Sequence, residues 1–213
     1  MQTRKPMYLE DYSAQNKSFY GRGSILLAIF LVLCLWVIFF PVNSIDTAVS
    51  KACQKINSDE LLPPMKIISM IGKPIIFLPL SLITTLVLYK NRMGRNAFGA
   101  FMMMGVHLPV FLFKELISRQ RPSPVFVEVH EISAGGSFPS GTVAFAVVFF
   151  GFLGMIICKN CNLIRKISII SLITLSIITI AFSRLYLGAH WFSDTVGGLF
   201  IGSSYLLWLT KFS

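Results

Sequence analysis

Acidic side chains are scarce in this chain. Nine Asp and Glu stand against nineteen Lys and Arg among 213 residues, and charged residues of both signs amount to only 13%. Beside 54% apolar residues and a mean hydropathy of +0.71, so little charge excludes an ordinary soluble domain and points to a membrane protein. The net charge of +10 does not indicate nucleic acid, because the basic residues gather at the ends of apolar segments. Cysteine is sparse too. Cys34 lies in an apolar run, Cys53 has no evident partner, and Cys158 and Cys161 form a single CxxC. Without a second Cys pair or a His pair, that spacing does not define a zinc site; free thiols are expected, with a redox or metal role as the alternative. There is no internal repeat and no low-complexity tract.

What the chain has is apolar runs. Six are near the roughly 20 residues that cross a bilayer: 25–40, 65–89, 97–117, 141–158, 167–187 and 191–209. They predict an all-α polytopic membrane protein, a bundle of six transmembrane helices in one integral-membrane domain over residues 1–213. Residues 1–23 form a polar cytoplasmic N-terminal segment. Six spans put both termini on one side. Eleven of the nineteen basic residues fall on that side, which the positive-inside bias assigns to the cytoplasm. Two loops on the other side are long. Residues 43–64 carry Ile45, Ala48, Val49, Ala52, Cys53 and Ile56 at helical spacing, which predicts a short amphipathic helix on the outer surface. Residues 118–139 form a connection of a length that is often functional.

Ionisable residues near membrane depth are costly and ask for a reason. Lys114, Arg121, Arg184, His190 and Asp194 all fall at the outer ends of predicted spans, together with Ser140 and Gly141, which open the fourth. Three cations around one point suit a tetrahedral oxyanion such as phosphate. A helix N-terminus adds unpaired N–H groups and partial positive charge. Pro139 suits the first turn, and Gly141 lets the backbone approach a ligand. His190 and Asp194 are four apart on a predicted helix and so share a face. Asp194 can take the Nδ1–H of His190, leaving Nε2 for a substrate, and such a histidine can attack phosphorus.

Lys114–Pro122 reads K-x6-R-P, Pro139–Gly141 reads P-S-G, and Ser183–Asp194 reads S-R-x5-H-x3-D. In this order they resemble the three signature motifs of the type 2 phosphatidic acid phosphatase superfamily. The resemblance implies an outward-facing phosphatase site with no metal or other cofactor. Lys114, Arg121 and Arg184 would clamp phosphoryl oxygens, with Ser140 and Gly141. His190 would be the nucleophile, Asp194 its orienter, and water would release phosphate from a phosphohistidine. The partners implied are a lipid phosphate substrate and the bilayer, with no nucleic acid. The compact chain fits a bacterial inner membrane, with the site on the periplasmic or extracellular side.

One position departs. The family's second motif ends P-S-G-H, and that histidine protonates the leaving group; here Thr142 stands in its place, and its hydroxyl is no general acid near neutral pH. Three readings follow. The substrate can be a lipid diphosphate, such as undecaprenyl diphosphate, whose leaving phosphate needs little protonation. Another group, His130 in the long loop, can supply the proton, whereas His107 reads as a packed core residue. Or the protein is a catalytically weakened phospholipid-binding or transport component. Phosphatidylglycerophosphate, phosphatidic acid and lipid A remain open as substrates, because apolar helices give no readable code for the lipid tail.

Overall fold

The computed structural model describes the backbone of residues 7–213 apart from Asn57, and the side chains from residue 21 onward. Arg4, Lys5 and the side chain of Lys17, counted above as cytoplasmic cations, lie outside the described residues. All regular structure among the described residues is helical: α1 (Met7–Phe39), α2 (Ser44–Gln54), α3 (Leu62–Ile71), α4 (Pro74–Lys90), α5 (Gly94–Met103), α6 (His107–Ile117), α7 (Gly141–Cys158), α8 (Leu163–Tyr186) and α9 (Phe192–Leu209).

By length and apolarity, four stretches among the described residues can cross a membrane: Gly21–Phe39, Gly94–Ile117, Gly141–Cys158 and Leu163–Tyr186. The pair α3 and α4 makes a fifth, but it is not the single helix that residues 65–89 suggested. It bends by 49° at Gly72–Lys73, where Pro74 starts a new helix from an extended Lys73. The third run is also composite, with one 3₁₀ turn, Met104–Val106, joining α5 to α6. Helix α9 carries Asp194, three glycines and several hydroxyls, and is not among the stretches that meet this length and apolarity.

Helix α7 is the central post. Residues 141–149 are buried without a break, followed by Phe152 and Gly154. Helix α8, by contrast, leaves Ile164, Ile170, Leu172, Leu175 and Ile178 exposed, and α1 does the same with Val32, Leu35 and Ile38. Large aliphatic side chains all over the outside suit a lipid solvent, not water. Inside, Phe30, Phe77, Phe138, Phe145, Phe149 and Phe152 form one core with Met103 and Val106. Phe77 stacks on Phe145 at 5.0 Å, and Phe30 meets Phe113 edge-on at 4.8 Å. Lipid supplies no hydrophobic drive between helices, so close approach must come from small residues. A Cβ on Gly198 of α9 would lie 2.5 Å from the carbonyl oxygen of Ser140, and one on Gly202 would lie 2.8 Å from that of Ala144. These glycines let α9 seat directly on the first turns of α7, where the polar residues converge.

The amphipathic helix expected within residues 43–64 forms as α2. Its orientation carries the news: the polar ridge of Asp46, Ser50 and Gln54 is buried against α8 and α9, while Ile45 and Ala52 face outward. The 118–140 segment is tied to the α8–α9 turn by main-chain bonds. The amide of His130 donates to the carbonyl of Leu187 at 2.9 Å, and that of Ser140 to Asp194 at 2.9 Å. All four cysteines are free thiols.

Candidate active site

Asp194 is the third residue of α9, and its fully buried carboxylate collects donors from three segments. The amide of Trp191 donates to it at 2.8 Å, which satisfies one of the orphan N–H groups at the helix start. The Ser137 hydroxyl donates to the same oxygen, and Arg119 reaches the other at 2.5 Å. His190 Nδ1 lies 3.3 Å from the carboxylate. The two residues do not share a helix face as their spacing suggested. His190 lies in the turn before α9, and the chain folds back because Asp194 caps the helix.

A carboxylate acceptor beside Nδ1 assigns the proton to that nitrogen and leaves the Nε2 lone pair open. Nε2 faces the Arg121 guanidinium at 3.4 Å. Burial pushes His190 down to about 3, against the opposing pull of Asp194, so the ring is neutral at physiological pH. A neutral imidazole with a directed lone pair is competent as a nucleophile.

Lys114, Arg121, Arg184, Gly141, Thr142 and His190 line one cavity of about 530 Å³. Lys114 donates to the carbonyl of Gly136 at 2.5 Å, and Arg121 donates to those of Ala189 at 2.8 Å and Gly135 at 3.1 Å. Burial, and then the nearby Arg184 charge, push Arg121 below its ordinary value, against the opposing pull of Asp194 and Glu131. Arg184 bonds Ser69 and meets Glu131 at 2.9 Å, while its buried Nε has no partner. Ser140 is the N-cap of α7 but does not line the cavity; its hydroxyl is buried without a partner. Pro139 therefore stands before the helix, not in its first turn. Gly141 and Thr142, which open α7, line the cavity, and the first amides of a helix have no intrahelical carbonyl to bond. Ile75 of α4 and Phe111 of α6 also line the cavity and are 76% and 59% exposed, so it opens sideways between apolar helices.

Two further histidines, His130 and His107, lie near the site. His130 bonds Glu128 at 3.2 Å, stacks on Tyr186, and does not line the cavity. His107 does line it. Six residues to which the sequence assigned no role also enter the site. Arg119 is buried, with Nε on the carbonyl of Pro41 at 2.8 Å, NH1 on Ser193 at 2.7 Å and on Asp194, and NH2 on Asp46 at 2.6 Å. It bridges the polar ridge of α2 to the Asp194 carboxylate, and the periodicity of Asp46, Ser50 and Gln54 was the available signal. Ser137 joins it on Asp194. Glu131 and Lys73 pair at 3.0 Å beside Arg184. Burial alone would raise the Glu131 carboxyl, but the Arg184 charge and bonds from Lys73 and Arg184 hold it at about 2.

Fold and site together define a class: an integral membrane protein built around a cationic cavity with a carboxylate-backed histidine in its wall. Within that class the chain belongs to the PAP2 superfamily, whose model matches residues 96–213, a stretch that holds Lys114 through Asp194. It is 30% identical over 182 residues to phosphatidylglycerophosphatase B of Bacillus subtilis (strain 168), covering 83% of this chain and 87% of the relative. Among solved structures, it is similar to a transmembrane PAP2-type phosphatidylglycerolphosphate phosphatase from Bacillus subtilis, with a TM-score of 0.79 at 24% identity, covering 89% of this chain and 94% of that one. It is also similar to LpxE of Aquifex aeolicus, with a TM-score of 0.64 at 19% identity over 79% and 96% of the two chains.

Proposed function

We propose that the protein is a lipid phosphatase working through a phosphohistidine on His190 at the non-cytoplasmic face of a membrane. The observation that carries this is the placement of His190, with Nδ1 on Asp194 and Nε2 turned to Arg121 in a cavity also lined by Lys114 and Arg184. The lipid enters sideways between α4 and α6. Lys114, Arg121, Arg184 and the first amides of α7 hold the phosphoryl oxygens, and Ser140 sets the start of that helix. His190 Nε2 attacks phosphorus, the bond to the leaving oxygen breaks, and Asp194 steadies the resulting cationic ring. Water then attacks phosphorus, the P–N bond breaks, and phosphate departs. Three cations and the helix amides supply the positive charge the transfer needs, so the proposed reaction uses no metal or other cofactor. With α9 as a sixth span, both termini are cytoplasmic, in keeping with the distribution of basic residues. The Bacillus subtilis relatives favour a bacterial cell membrane as its location.

Phosphatidylglycerophosphate, which the Bacillus subtilis relatives' names specify, is the first substrate to consider. A lipid diphosphate is the second, because Thr142 leaves no imidazole at that position and a phosphate monoester, with a second pKa near 6, departs without one. Thr142 also favours one rival reading, a weakened protein that binds phospholipid without turnover. Both are tested together with purified protein and a panel of lipid phosphates. Wild type should release phosphate and form an acid-labile phosphoenzyme, and His190→Ala should do neither. Full activity in His190→Ala refutes the mechanism, while tight binding by wild type with no release supports the rival.

A further inference from the structure

The polar groups of the cavity fall at two levels. Lys114, Arg121, Arg184 and His190 form the upper one. His107, the first residue of α6, lies seven residues before Lys114, about 10 Å lower along the helix. Thr142 lines the wall as well, its methyl carbon turned towards Gly72 at the α3–α4 break. Below are apolar helices, where the lipid tail must run.

The His107 ring sits 4.0 Å from the Phe145 ring and 5.7 Å from that of Phe77, centroid to centroid. For packing among these rings a phenylalanine would serve as well. The imidazole instead places in an apolar wall a buried Nε2 that has no hydrogen-bond partner. An unpaired buried nitrogen is unfavourable, and a protein keeps one where something else completes it. The broad, two-fold χ2 preference of the ring lets either edge turn to the cavity. A substrate that is pure hydrocarbon just below the phosphoryl group leaves this nitrogen unmet. Once the ring turns about χ2 to bring this nitrogen to the cavity, a substrate with a hydroxyl or a second phosphoryl oxygen beside the scissile bond meets it.

We infer that His107 is a specificity-determining contact for the leaving group: it hydrogen-bonds a polar group that the lipid carries next to the scissile oxygen. The inference rests on the phosphatase reading and deepens it. It selects lipids with a polyol or diphosphate linker over those whose hydrocarbon chain is joined directly to a single phosphate. The structure gives this position to His107 and not to His130, which is engaged with Glu128 outside the cavity.

The test compares phosphatidylglycerophosphate, farnesyl diphosphate and farnesyl monophosphate in mixed micelles. His107→Phe keeps the aromatic packing and removes both nitrogens. It should lower kcat/KM by about tenfold or more on the first two, and by less than about threefold on the monophosphate. His107→Gln, which restores a donor and an acceptor, should retain most of the activity. The inference falls if the Phe variant matches wild type throughout, loses equally on all three lipids, or is no worse than the Gln variant. A wild type that releases phosphate from none of them overturns the phosphatase reading itself.

Discussion

Replacing Arg119 with lysine tests how the orienting carboxylate is held. The guanidinium makes four bonds in three directions, to Pro41, Ser193, Asp194 and Asp46, at 2.5–2.8 Å. A lysine keeps the charge, but its single nitrogen cannot reach Asp46 and Asp194 together. At least one buried carboxylate then loses a charge-assisted bond, and the Pro41 carbonyl loses its own. At about 1.5–3 kcal/mol for each charge-assisted bond, two losses cost about 3–6 kcal/mol, a large share of the stability of an ordinary domain. The effect on chemistry follows from His190, whose 3.3 Å contact with Asp194 is already long. Once Asp194 is free to turn, the tautomer is no longer held. Arg119→Lys should lower kcat by about 10- to 100-fold, less than the loss of a group that reacts, because Ser137 and the Trp191 amide still bond Asp194, with KM little changed because Lys114, Arg121 and Arg184 are untouched. The assay is phosphate release in detergent, paired with thermal unfolding of the same preparation. Wild-type melting and wild-type kcat together would refute the bridge; a raised KM at constant kcat would place Arg119 on the substrate instead.

Two further outcomes follow from charge. His190 is held neutral, its folded value near 3 lying below the unfolded value near 6.5, so the unfolded chain takes up a proton that the folded chain refuses. Stability should therefore fall as pH drops below about 6.5, by about 1.4 kcal/mol at pH 5.5. Denaturation of wild type and His190→Gln across pH 5–8 should show that slope in the first only. Glu131 is the opposite case: its folded value near 2 lies below the ordinary carboxylate range, so its contribution is full above that range and fades as pH falls towards 2. Glu131→Gln should lose that contribution. Because it frees Arg184 and Lys73, it should also bind inorganic phosphate about threefold to tenfold more tightly as a competitive inhibitor, and an unchanged inhibition constant would sink the argument.

Much of the site was legible because cations at membrane depth are expensive. Lys114, Arg121 and Arg184 stood out for that reason, and the structure brings them to one cavity with His190. Asp194 was legible as a partner of His190, but its capping of α9 was not, and so the histidine was placed on the wrong side of the helix boundary. Arg119 was visible only as one more basic residue. Its meaning depends on Asp46, 73 residues away, and on a helix that turns its polar ridge inward, which periodicity alone does not orient. A loop position favoured His130 over the helical His107, yet of the two only His107 lines the cavity. The bend at Gly72–Lys73 had a local sign in Gly-Lys-Pro, yet the run was apolar enough to pass for one span.

The sideways mouth between Ile75 and Phe111 has a consequence for the direction of the proposed reaction. Its two products have different exits. Inorganic phosphate leaves by the polar loop into water and is diluted without limit, whereas the lipid slips back between α4 and α6 into the bilayer. Hydrolysis at such a boundary is drawn forward by phase partition as well as by the chemistry of the bond. Its rate answers to the surface density of lipid substrate in the membrane, not to its bulk concentration.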